Sequence, residues 1–377
     1  MSAGRRVVIV GGGLAGATVA ESLRDRGFDG EIVILAAESH PPYERPPLSK
    51  AVLLGDKESD SAYVHDESWW REHDVEVLTG TEAQAIDLAG RRVVTTSGEH
   101  PYDWLVLATG SEPRRLRLAD ESTVPVHYLR TVEDSIALRE SLTEGARVAI
   151  IGAGWIGLEV AAAARHAGAT VTVHEGADLP LLAVLGPEVG QLFADLHRDH
   201  GVDLRLGAPV TADDLTDADL VVVGIGVTPR TGLAQAAGLE VDDGVLVDEL
   251  MRTSDERVLA IGDIASQLHP ALGRRVRVEH WDNAIGQGKA AAATILGAAE
   301  PYAKLPYFFT DQYDLGMEYF GHVGPDGYDR VQTTGDFSGA FRAWWVRDEV
   351  VVAAMQANDW DASDETRASV GQAPPEV

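Results

Sequence analysis

Apolar runs of about five residues recur along the chain, and several of them lead into a glycine and then into a stretch with helical spacing. The first such unit predicts a strand at 6–10, a helix at 15–25 and a strand at 31–35. A second unit, from 147 to 173, repeats this order. Because strands alternate with helices of ten or more residues, the pattern favours an α/β fold with two parallel sheets covered by helices.

Weaker signals extend the prediction to the rest of the chain. Further strands are predicted at 75–78, 92–96, 102–107, 219–223 and 257–261, and further helices at 68–73, 189–200 and 283–296. From about residue 301 the sequence is rich in aromatic and β-forming residues, which predicts a small C-terminal α+β domain. The polar, proline-containing tail at 362–377 predicts disorder.

Both units carry the spacing G-x-G-x-x-G between strand and helix. The glycines are Gly11, Gly13 and Gly16 in the first unit and Gly152, Gly154 and Gly157 in the second. The first glycine allows a tight turn, the second lets the backbone approach a pyrophosphate, and the third lets the helix pack on the strand. The helix N-terminus then offers N–H groups and positive potential to the phosphates. Two such motifs predict two bound dinucleotides, and flavin with nicotinamide is the pair that exchanges a hydride.

An acidic residue follows the second strand of each unit. Glu38 and Glu175 are placed where a carboxylate accepts hydrogen bonds from ribose hydroxyls. At Glu175 a carboxylate would repel a 2′-phosphate, which predicts NADH rather than NADPH. A solvated strand end is the alternative interpretation of Glu175.

A proline-rich segment separates the second strand from the helix at 68–73. It ends at Lys50, and its four prolines exclude a regular helix or central strand. A lysine held rigidly there would place a cation near a flavin, and Glu159, two residues after Gly157, would pair with it. Taken alone, Lys50 is better explained as a surface lysine, and only the resemblance described below reverses that interpretation.

Charge and composition exclude several functions. The formal net charge is −29, which disfavours binding to nucleic acid, and the twelve histidines have no metal-ligand spacing. The sequence has no cysteine and no apolar stretch of 18 residues, which excludes a redox disulfide and a spanning helix. A start without a signal-peptide pattern predicts a cytoplasmic protein. The short basic clusters at 114–117 and 274–277 are either docking points for an acidic partner or solvated loops.

Two segments near the end of the nucleotide-binding region carry further candidates. Asp263 follows an apolar strand and is either a helix cap or a ligand for the flavin ribityl chain and pyrophosphate. The aromatic residues Tyr307, Phe308 and Phe309 either cover a flavin face or belong to the core.

Together these motifs resemble the FAD-dependent, NADH-linked ferredoxin reductases of bacterial oxygenase systems, the putidaredoxin, rhodocoxin and rubredoxin reductase group of the glutathione-reductase structural class. The segments that carry the resemblance are Tyr43-Glu44-Arg45-Pro46-Pro47-Leu48-Ser49-Lys50, Leu107-Ala108-Thr109-Gly110, Gly154-Trp155-Ile156-Gly157-Leu158-Glu159, Gly262-Asp263, Glu279-His280-Trp281-Asp282-Asn283-Ala284 and Asp311-Gln312-Tyr313-Asp314. They cover roughly residues 5 to 320 in order.

The resemblance implies a role for individual residues. The residues implied to contact FAD are Ala15, Glu38, Arg45, Lys50, Ala83, Arg130, Asp263 and Trp281, together with the glycines of the first motif and with Thr109 and Gly110. The residues implied to contact NADH are Gly157, Glu159, Glu175 and Gly226, together with Gly152 and Gly154. Lys50 and Glu159 are implied to pair beside the flavin N5 and to be the catalytic residues.

The implied domains are an FAD-binding domain at 1–110 and 232–300, an NADH-binding domain at 111–231 and the C-terminal domain at 301–361. Two features depart from the family. Tyr307 and Phe309 replace tryptophans that the family often has, and the C-terminal domain is short and diverges after about Ala343.

The implied activity is transfer of a hydride from NADH to FAD, followed by single-electron transfer to a small iron–sulfur ferredoxin or rubredoxin. Without cysteine, the chain has no internal disulfide as acceptor, which leaves transfer to an external acceptor. The resemblance implies that this acceptor is a protein that feeds an oxygenase. The expected assembly is a monomer or weak dimer. Two alternatives are an NADH oxidase or diaphorase without a protein partner, which the short C-terminal domain favours, and a redox sensor similar to apoptosis-inducing factor.

Overall fold

A computed structural model describes residues 5–298 and 300–376. Residues 1–4, 299 and 377, which the predicted domains and tail include, lie outside the described residues.

The chain forms short strands throughout and helices mainly in its first 300 residues. The strands in chain order are β1 (Arg6–Val10), β2 (Glu31–Leu35), β3 (Val75–Leu78), β4 (Ala83–Asp87), β5 (Arg92–Thr95), β6 (Gly98–Pro101), β7 (Trp104–Leu107), β8 (Ser111–Pro113), β9 (Val126–His127), β10 (Arg147–Ile151), β11 (Thr170–Glu175) and β12 (Asp203–Leu206). Further strands are β13 (Leu220–Val223), β14 (Val227–Pro229), β15 (Val241–Asp242), β16 (Gly244–Val247), β17 (Val258–Ala260), β18 (Ala265–His269), β19 (Arg274–Val276), β20 (Tyr307–Gln312), β21 (Leu315–Gly321), β22 (Arg330–Gly335), β23 (Phe341–Arg347) and β24 (Val350–Ala357). The helices are α1 (Leu14–Asp25), α2 (Ala51–Leu54), α3 (Glu67–Glu72), α4 (Arg117–Asp120), α5 (Val132–Ser141), α6 (Trp155–His166), α7 (Leu182–Asp199), α8 (Gly232–Ala236), α9 (Trp281–Ile295) and α10 (Ser363–Ala368).

The chain divides into two compact units. Unit 1 consists of Met1–Glu44, Ala62–Glu112 and Thr228–Pro306, and unit 2 of Arg45–Ser61, Pro113–Val227 and Tyr307–Val377. This grouping differs from the predicted domains in two ways. The proline-rich segment from Arg45 onward belongs to unit 2, and so does the C-terminal region, which shares a hydrophobic core with the second parallel sheet.

Unit 1 is built on a five-stranded parallel sheet with the order β17-β7-β1-β2-β3. The central strand β1 is apolar on both faces, and Val7, Val8 and Ile9 are completely buried. Helices cover such a sheet on both sides. On one side of the sheet α1 and α9 pack closely. A Cβ built on Gly288 of α9 would lie only 2.9 Å from the carbonyl oxygen of Ala15 of α1.

Unit 2 contains a second parallel sheet, with the order β12-β11-β10-β13-β9, and an antiparallel sheet with the order β20-β21-β24-β23-β22. Trp345 of β23 is fully buried and donates a hydrogen bond from Nε1 to the carbonyl oxygen of Leu185 at 3.0 Å. It lies in the same core as Phe193 of α7. The α/β fold predicted from the sequence is confirmed, with a C-terminal antiparallel sheet.

The tail differs from the predicted disorder. Ser363–Ala368 forms α10, and Thr366 is buried. Downstream of it, the Gln332 side chain donates a hydrogen bond to the carbonyl oxygen of Pro375 at 2.5 Å. From composition alone, the conformational entropy lost on ordering is expected to leave the tail disordered. These contacts with distant strands offset that loss.

Arg24, in the last turn of α1, anchors the helix that begins at the first glycine motif. Its guanidinium donates hydrogen bonds to the carbonyl oxygens of Phe28, Gly30, His73 and Asp74 at 2.6 to 2.9 Å. A lysine cannot reproduce this planar fork. We therefore expect Arg24→Lys to lower the free energy of unfolding by about 2 kcal/mol in urea titration.

The matched control is Arg26→Lys, since Arg26 is exposed two residues further along. Equal stability of the two variants would show that the four carbonyl contacts contribute nothing.

Candidate functional site

The first glycine loop joins β1 to α1 at the carboxyl edge of the parallel sheet of unit 1. Gly11 has φ +124°, and a Cβ built on it would lie 2.1 Å from the carbonyl oxygen of Ala108. A Cβ on Gly16 would lie 2.4 Å from the carbonyl oxygen of Gly11. Both obstacles are backbone atoms that cannot move aside. These are the tight turn and the close helix–strand packing that the spacing predicts.

Gly13 is the opposite case. Across the described chain, no atom would lie within 4 Å of a Cβ built on it. Gly13 precedes α1 with extended backbone angles, and the first turn, Leu14 to Gly16, carries no charge. The start of α1 thus combines open space with the positive end of a helix dipole, which suits a pyrophosphate.

The other residues of unit 1 that are predicted to contact FAD occupy several positions, some of them just after a strand. Glu38, three residues after β2, accepts a hydrogen bond from the hydroxyl of Tyr43. Thr109 donates to the carbonyl oxygen of Arg230 at 2.9 Å, and Gly110 follows with φ +66°. Ala83 begins β4, which belongs to a separate three-stranded sheet.

Asp263 lies in a 3₁₀ turn, Gly262–Ile264, that follows β17. A Cβ on Gly262 would lie 3.3 Å from the Cβ of Ala15, so this turn sits against the start of α1. Trp281 is the first residue of α9, and the ring of His280 caps that helix.

The second glycine loop repeats the geometry of the first. Gly152 has φ +101°, and a Cβ on it would lie 2.4 Å from the carbonyl oxygen of Gly224. A Cβ on Gly157 would lie 2.0 Å from the carbonyl oxygen of Gly152. At Gly154 the nearest atom would be 3.9 Å away. Each loop therefore leaves no room at its first and third glycine and leaves room at its second.

Glu175 ends β11 beside this second loop. Its two carboxylate oxygens accept hydrogen bonds from the N–H groups of Ala153 at 2.7 Å and Ala177 at 2.9 Å. A carboxylate offers about four acceptor positions, so these bonds fix its orientation and leave acceptor capacity for a ribose. Gly226, with φ +93°, accepts a hydrogen bond on its carbonyl oxygen from the N–H of Arg114 at 2.9 Å.

Lys50 and Glu159 form a buried ion pair in unit 2. The Lys50 Nζ lies 2.7 Å from the Glu159 Oε1, and the side chains are 19% and 4% exposed. Glu159 is on α6, the helix that begins at the second glycine loop, and Lys50 ends the 3₁₀ turn Pro46–Ser49. The pairing implied by the resemblance is present in the structure.

Two further side chains that the sequence did not single out complete this pair. Ser49 donates to the Glu159 Oε2 at 2.5 Å, and Thr310 of β20 donates to the Oε1 at 2.6 Å. The ring of Phe309 lies 5.4 Å from the Lys50 Nζ. The only sequence signal was proximity: Ser49 precedes Lys50, and Thr310 precedes the segment Asp311-Gln312-Tyr313-Asp314.

Arg45 and Arg130 also lie together in unit 2. The guanidinium of Arg45 donates a hydrogen bond to the carbonyl oxygen of Arg130. The N–H of Arg130 donates to the carboxylate of Asp134 at 3.0 Å, and Asp134 also closes the capping box of α5 with Thr131. The peptide that carries Arg130 is therefore held at both ends.

Residues 5–298 and 300–376 contain neither a candidate metal site nor a candidate membrane-spanning helix. No cluster of three histidine, cysteine, aspartate or glutamate side chains there could hold a metal ion. Nor does any helix in these ranges have the length and apolar character needed to cross a membrane.

Comparison with known proteins decides the family. Residues 5–288 match the family described as pyridine nucleotide-disulphide oxidoreductase. The chain belongs to this family. It is 43% identical over 332 residues to the ferredoxin–NAD(+) reductase component of the anthranilate 1,2-dioxygenase system of Burkholderia cepacia, a match that covers 84% of this chain and 82% of the relative.

Two further relatives extend the match into the C-terminal sheet. Putidaredoxin reductase of Pseudomonas putida is 37% identical over 380 residues, which covers 95% of this chain and 90% of that protein. The solved covalent complex of putidaredoxin reductase and putidaredoxin superposes with a TM-score of 0.90 at 36% identity and covers 98% of this chain and 92% of that chain. The resemblance predicted from the sequence is confirmed.

Membership of this family makes the chain an oxidoreductase that uses a flavin and NAD(H). The glycine loops fit that requirement, since each leaves space only at the glycine that would face a pyrophosphate. The family name refers to disulphide chemistry, but the chain has no cysteine. This member therefore has no redox disulfide of its own.

Proposed function

We propose that this chain is an FAD-dependent NADH:ferredoxin reductase that supplies electrons to an oxygenase. The observation that carries the proposal is the Lys50–Glu159 ion pair, whose glutamate lies on the helix that begins at the second glycine loop. The chain has two glycine loops that are suited to nucleotides, and this charged pair lies close to one of them. The names of the relatives, which are ferredoxin and putidaredoxin reductases, support the same activity.

In this proposal the glycine loop of unit 1, with Glu38 and Asp263, holds FAD, and the loop of unit 2, with Glu175, holds NADH. When bound, the flavin supplies the chemistry that converts a two-electron hydride donor into a source of single electrons. The protein contributes position and charge. Lys50 is a cation held in position by Glu159, whose carboxylate accepts hydrogen bonds from Lys50, Ser49 and Thr310.

The acceptor must lie outside the chain, because the sequence has no cysteine to receive electrons. We propose a small iron–sulfur ferredoxin of the [2Fe–2S] type, in line with the relative that belongs to a dioxygenase system and with the solved complex with putidaredoxin. A cytoplasmic location and a monomer or weak dimer remain part of the proposal.

The test is stopped-flow absorbance of the purified, FAD-loaded protein, mixed without oxygen with NADH or with NADPH and then with a [2Fe–2S] ferredoxin. We expect fast bleaching by NADH, slow bleaching by NADPH, and reduction of the ferredoxin. Fast bleaching without electron delivery, together with rapid oxygen consumption, would indicate an NADH oxidase instead. Slow turnover with every acceptor and a redox-dependent change in size would indicate a sensor.

Glu175 provides a prediction on nucleotide choice. Replacing it with glutamine removes the negative charge that would repel a 2′-phosphate, so we expect the preference for NADH over NADPH to fall by about tenfold. Dissociation constants for both nucleotides, measured by fluorescence titration, check this. Glu188→Gln is the control, because Glu188 is an exposed glutamate of the same unit. An unchanged preference in Glu175→Gln would assign nucleotide choice to other residues.

A further inference from the structure

The Glu159 carboxylate is the end point of a buried line of polar side chains in unit 2. Thr310 donates to it at 2.6 Å, and Gln312 Nε2 donates to the hydroxyl of Thr310 at 3.2 Å. The Gln312 Oε1 lies 2.9 Å from the Nε2 of His197 on α7. Thr310, Gln312 and His197 are at most 1% exposed.

The hydrogen bonds of this line run in one direction. Because the Thr310 hydroxyl donates its hydrogen bond to the carboxylate, its oxygen is free to accept a hydrogen bond from the amide of Gln312. The amide oxygen of Gln312 is then an acceptor, so the Nε2 of His197 must carry a proton. Every donor therefore points toward Glu159.

His197 is suited to this role because it stays neutral. Burial lowers its pKa to about 4, despite the opposing hydrogen bond with Gln312. A neutral ring with a proton on Nε2 has an acceptor at Nδ1, and the Tyr313 hydroxyl lies 3.3 Å from it. The Tyr313 ring stacks on His200 with centroids 3.7 Å apart.

At the His197 end of the line, the backbone of Tyr313 adopts an energetically unfavourable conformation. Tyr313 has φ +57°, the left-handed region that favours glycine. A non-glycine residue in that region persists where its surroundings hold it, and such positions cluster at functional sites. Thr310 and Gln312 also share one face of β20, where apolar residues would pack without needing partners.

We propose that Thr310, Gln312 and His197 are positioning residues that keep the Glu159 carboxylate in one orientation and thereby hold the Lys50 ammonium in place. The inference rests on the proposed function and deepens it. Ser49 and Lys50 also donate hydrogen bonds to this carboxylate. Rotation of the carboxylate would therefore break at least one hydrogen bond. The line connects Glu159, on the helix that begins at the second glycine loop, to His197 on α7.

The first test compares Thr310→Val with Thr310→Ser in the FAD-loaded protein. Valine keeps the volume and removes the hydroxyl, whereas serine keeps the hydroxyl. We expect the rate of NADH-dependent bleaching to fall about tenfold in Thr310→Val and to stay within about twofold of wild type in Thr310→Ser. The FAD content of all three proteins is expected to be equal.

Thr294→Val is the control for the loss of a buried threonine hydroxyl, because Thr294 is also buried and donates to the Leu250 carbonyl oxygen at 2.9 Å in unit 1. It is expected to bleach at the wild-type rate. Wild-type bleaching in Thr310→Val, or equal slowing in the serine and valine variants, would overturn the positioning role. Absence of NADH-dependent bleaching in the wild type would overturn the proposed function instead.

A second readout does not depend on turnover. In ¹⁵N-histidine NMR spectra of the FAD-loaded protein, His197, assigned by its loss in His197→Gln, is expected to be the neutral Nε2–H tautomer between pH 5.5 and 8. Its Nε2 signal is expected to shift in both Thr310→Val and Glu159→Gln. An Nδ1–H tautomer, or a signal unmoved by both substitutions, would show that the line is not connected.

Discussion

Replacing Lys50 by alanine is expected to slow NADH-dependent bleaching of the flavin by about a hundredfold while leaving the FAD content unchanged. Lys50 contributes the cation of the buried pair, and its ammonium is held 2.7 Å from Glu159. Removing it takes away the positive charge that we propose to orient the reacting groups. It also leaves a buried carboxylate with only Ser49 and Thr310 as donors. Single-turnover stopped-flow absorbance measures the rate, and the flavin-to-protein absorbance ratio measures the content.

The control for this prediction is Lys57→Ala. Lys57 is an exposed lysine seven residues further along the same segment of unit 2, so it removes the same charge from the chain without touching the pair. Lys50→Arg keeps the charge but changes its shape, and we expect an intermediate rate. Bleaching of Lys50→Ala at the rate of Lys57→Ala would remove Lys50 from the mechanism.

Placing a methyl group at the second glycine of each loop is expected to separate the two nucleotides. Gly13→Ala should weaken FAD binding, and Gly154→Ala should weaken NADH binding, each by about a hundredfold or ~2.8 kcal/mol. At both positions the folded chain itself leaves room for a Cβ, so the added methyl fills space that we assign to a pyrophosphate. Stability of the unliganded protein should fall by at most about 1 kcal/mol, the cost of alanine at a helix cap.

Gly232→Ala in unit 1 and Gly176→Ala in unit 2 are the matched controls, since a Cβ at either position likewise meets nothing within 4 Å in the described structure. Isothermal titration with NAD⁺ and the flavin content after purification report the two sites. If Gly154→Ala bound NADH as tightly as Gly176→Ala does, the second loop would not be the nucleotide site. Loss of both nucleotides in either variant would point to a general folding defect.

The local elements of this protein follow closely from its sequence. The predicted strands at 6–10, 31–35 and 75–78 coincide with β1, β2 and β3, and the predicted helix at 68–73 differs from α3 by one residue at each end. Apolar runs ending in glycine and helices opening on glycine are short-range signals, because they depend on steric and hydrogen-bond requirements of neighbouring residues. The glycine spacing even predicts where a Cβ is and is not tolerated.

Longer-range features were less accessible. The tail at 362–376 has a composition typical of disorder, yet Ser363–Ala368 is helical and contacts a distant strand, since Arg342 of β23 donates to the Glu365 carboxylate at 3.0 Å. The proline-rich segment follows the first nucleotide-binding unit in sequence, but from Arg45 onward it belongs to unit 2. Neither outcome is encoded in local periodicity, since both depend on contacts between residues that are tens to hundreds of positions apart.

The sequence by itself determined two glycine loops, the acids that follow them, and a chemistry without cysteine. Lys50 and Glu159 were paired only through resemblance to a family. What only the tertiary structure decided is the surrounding of that pair: Ser49, Thr310 and the line that ends at His197. A buried charge must find donors wherever the fold brings them, and 151 positions separate Thr310 from Glu159. Such partners are selected by proximity in space, which the order of residues along the chain does not reveal.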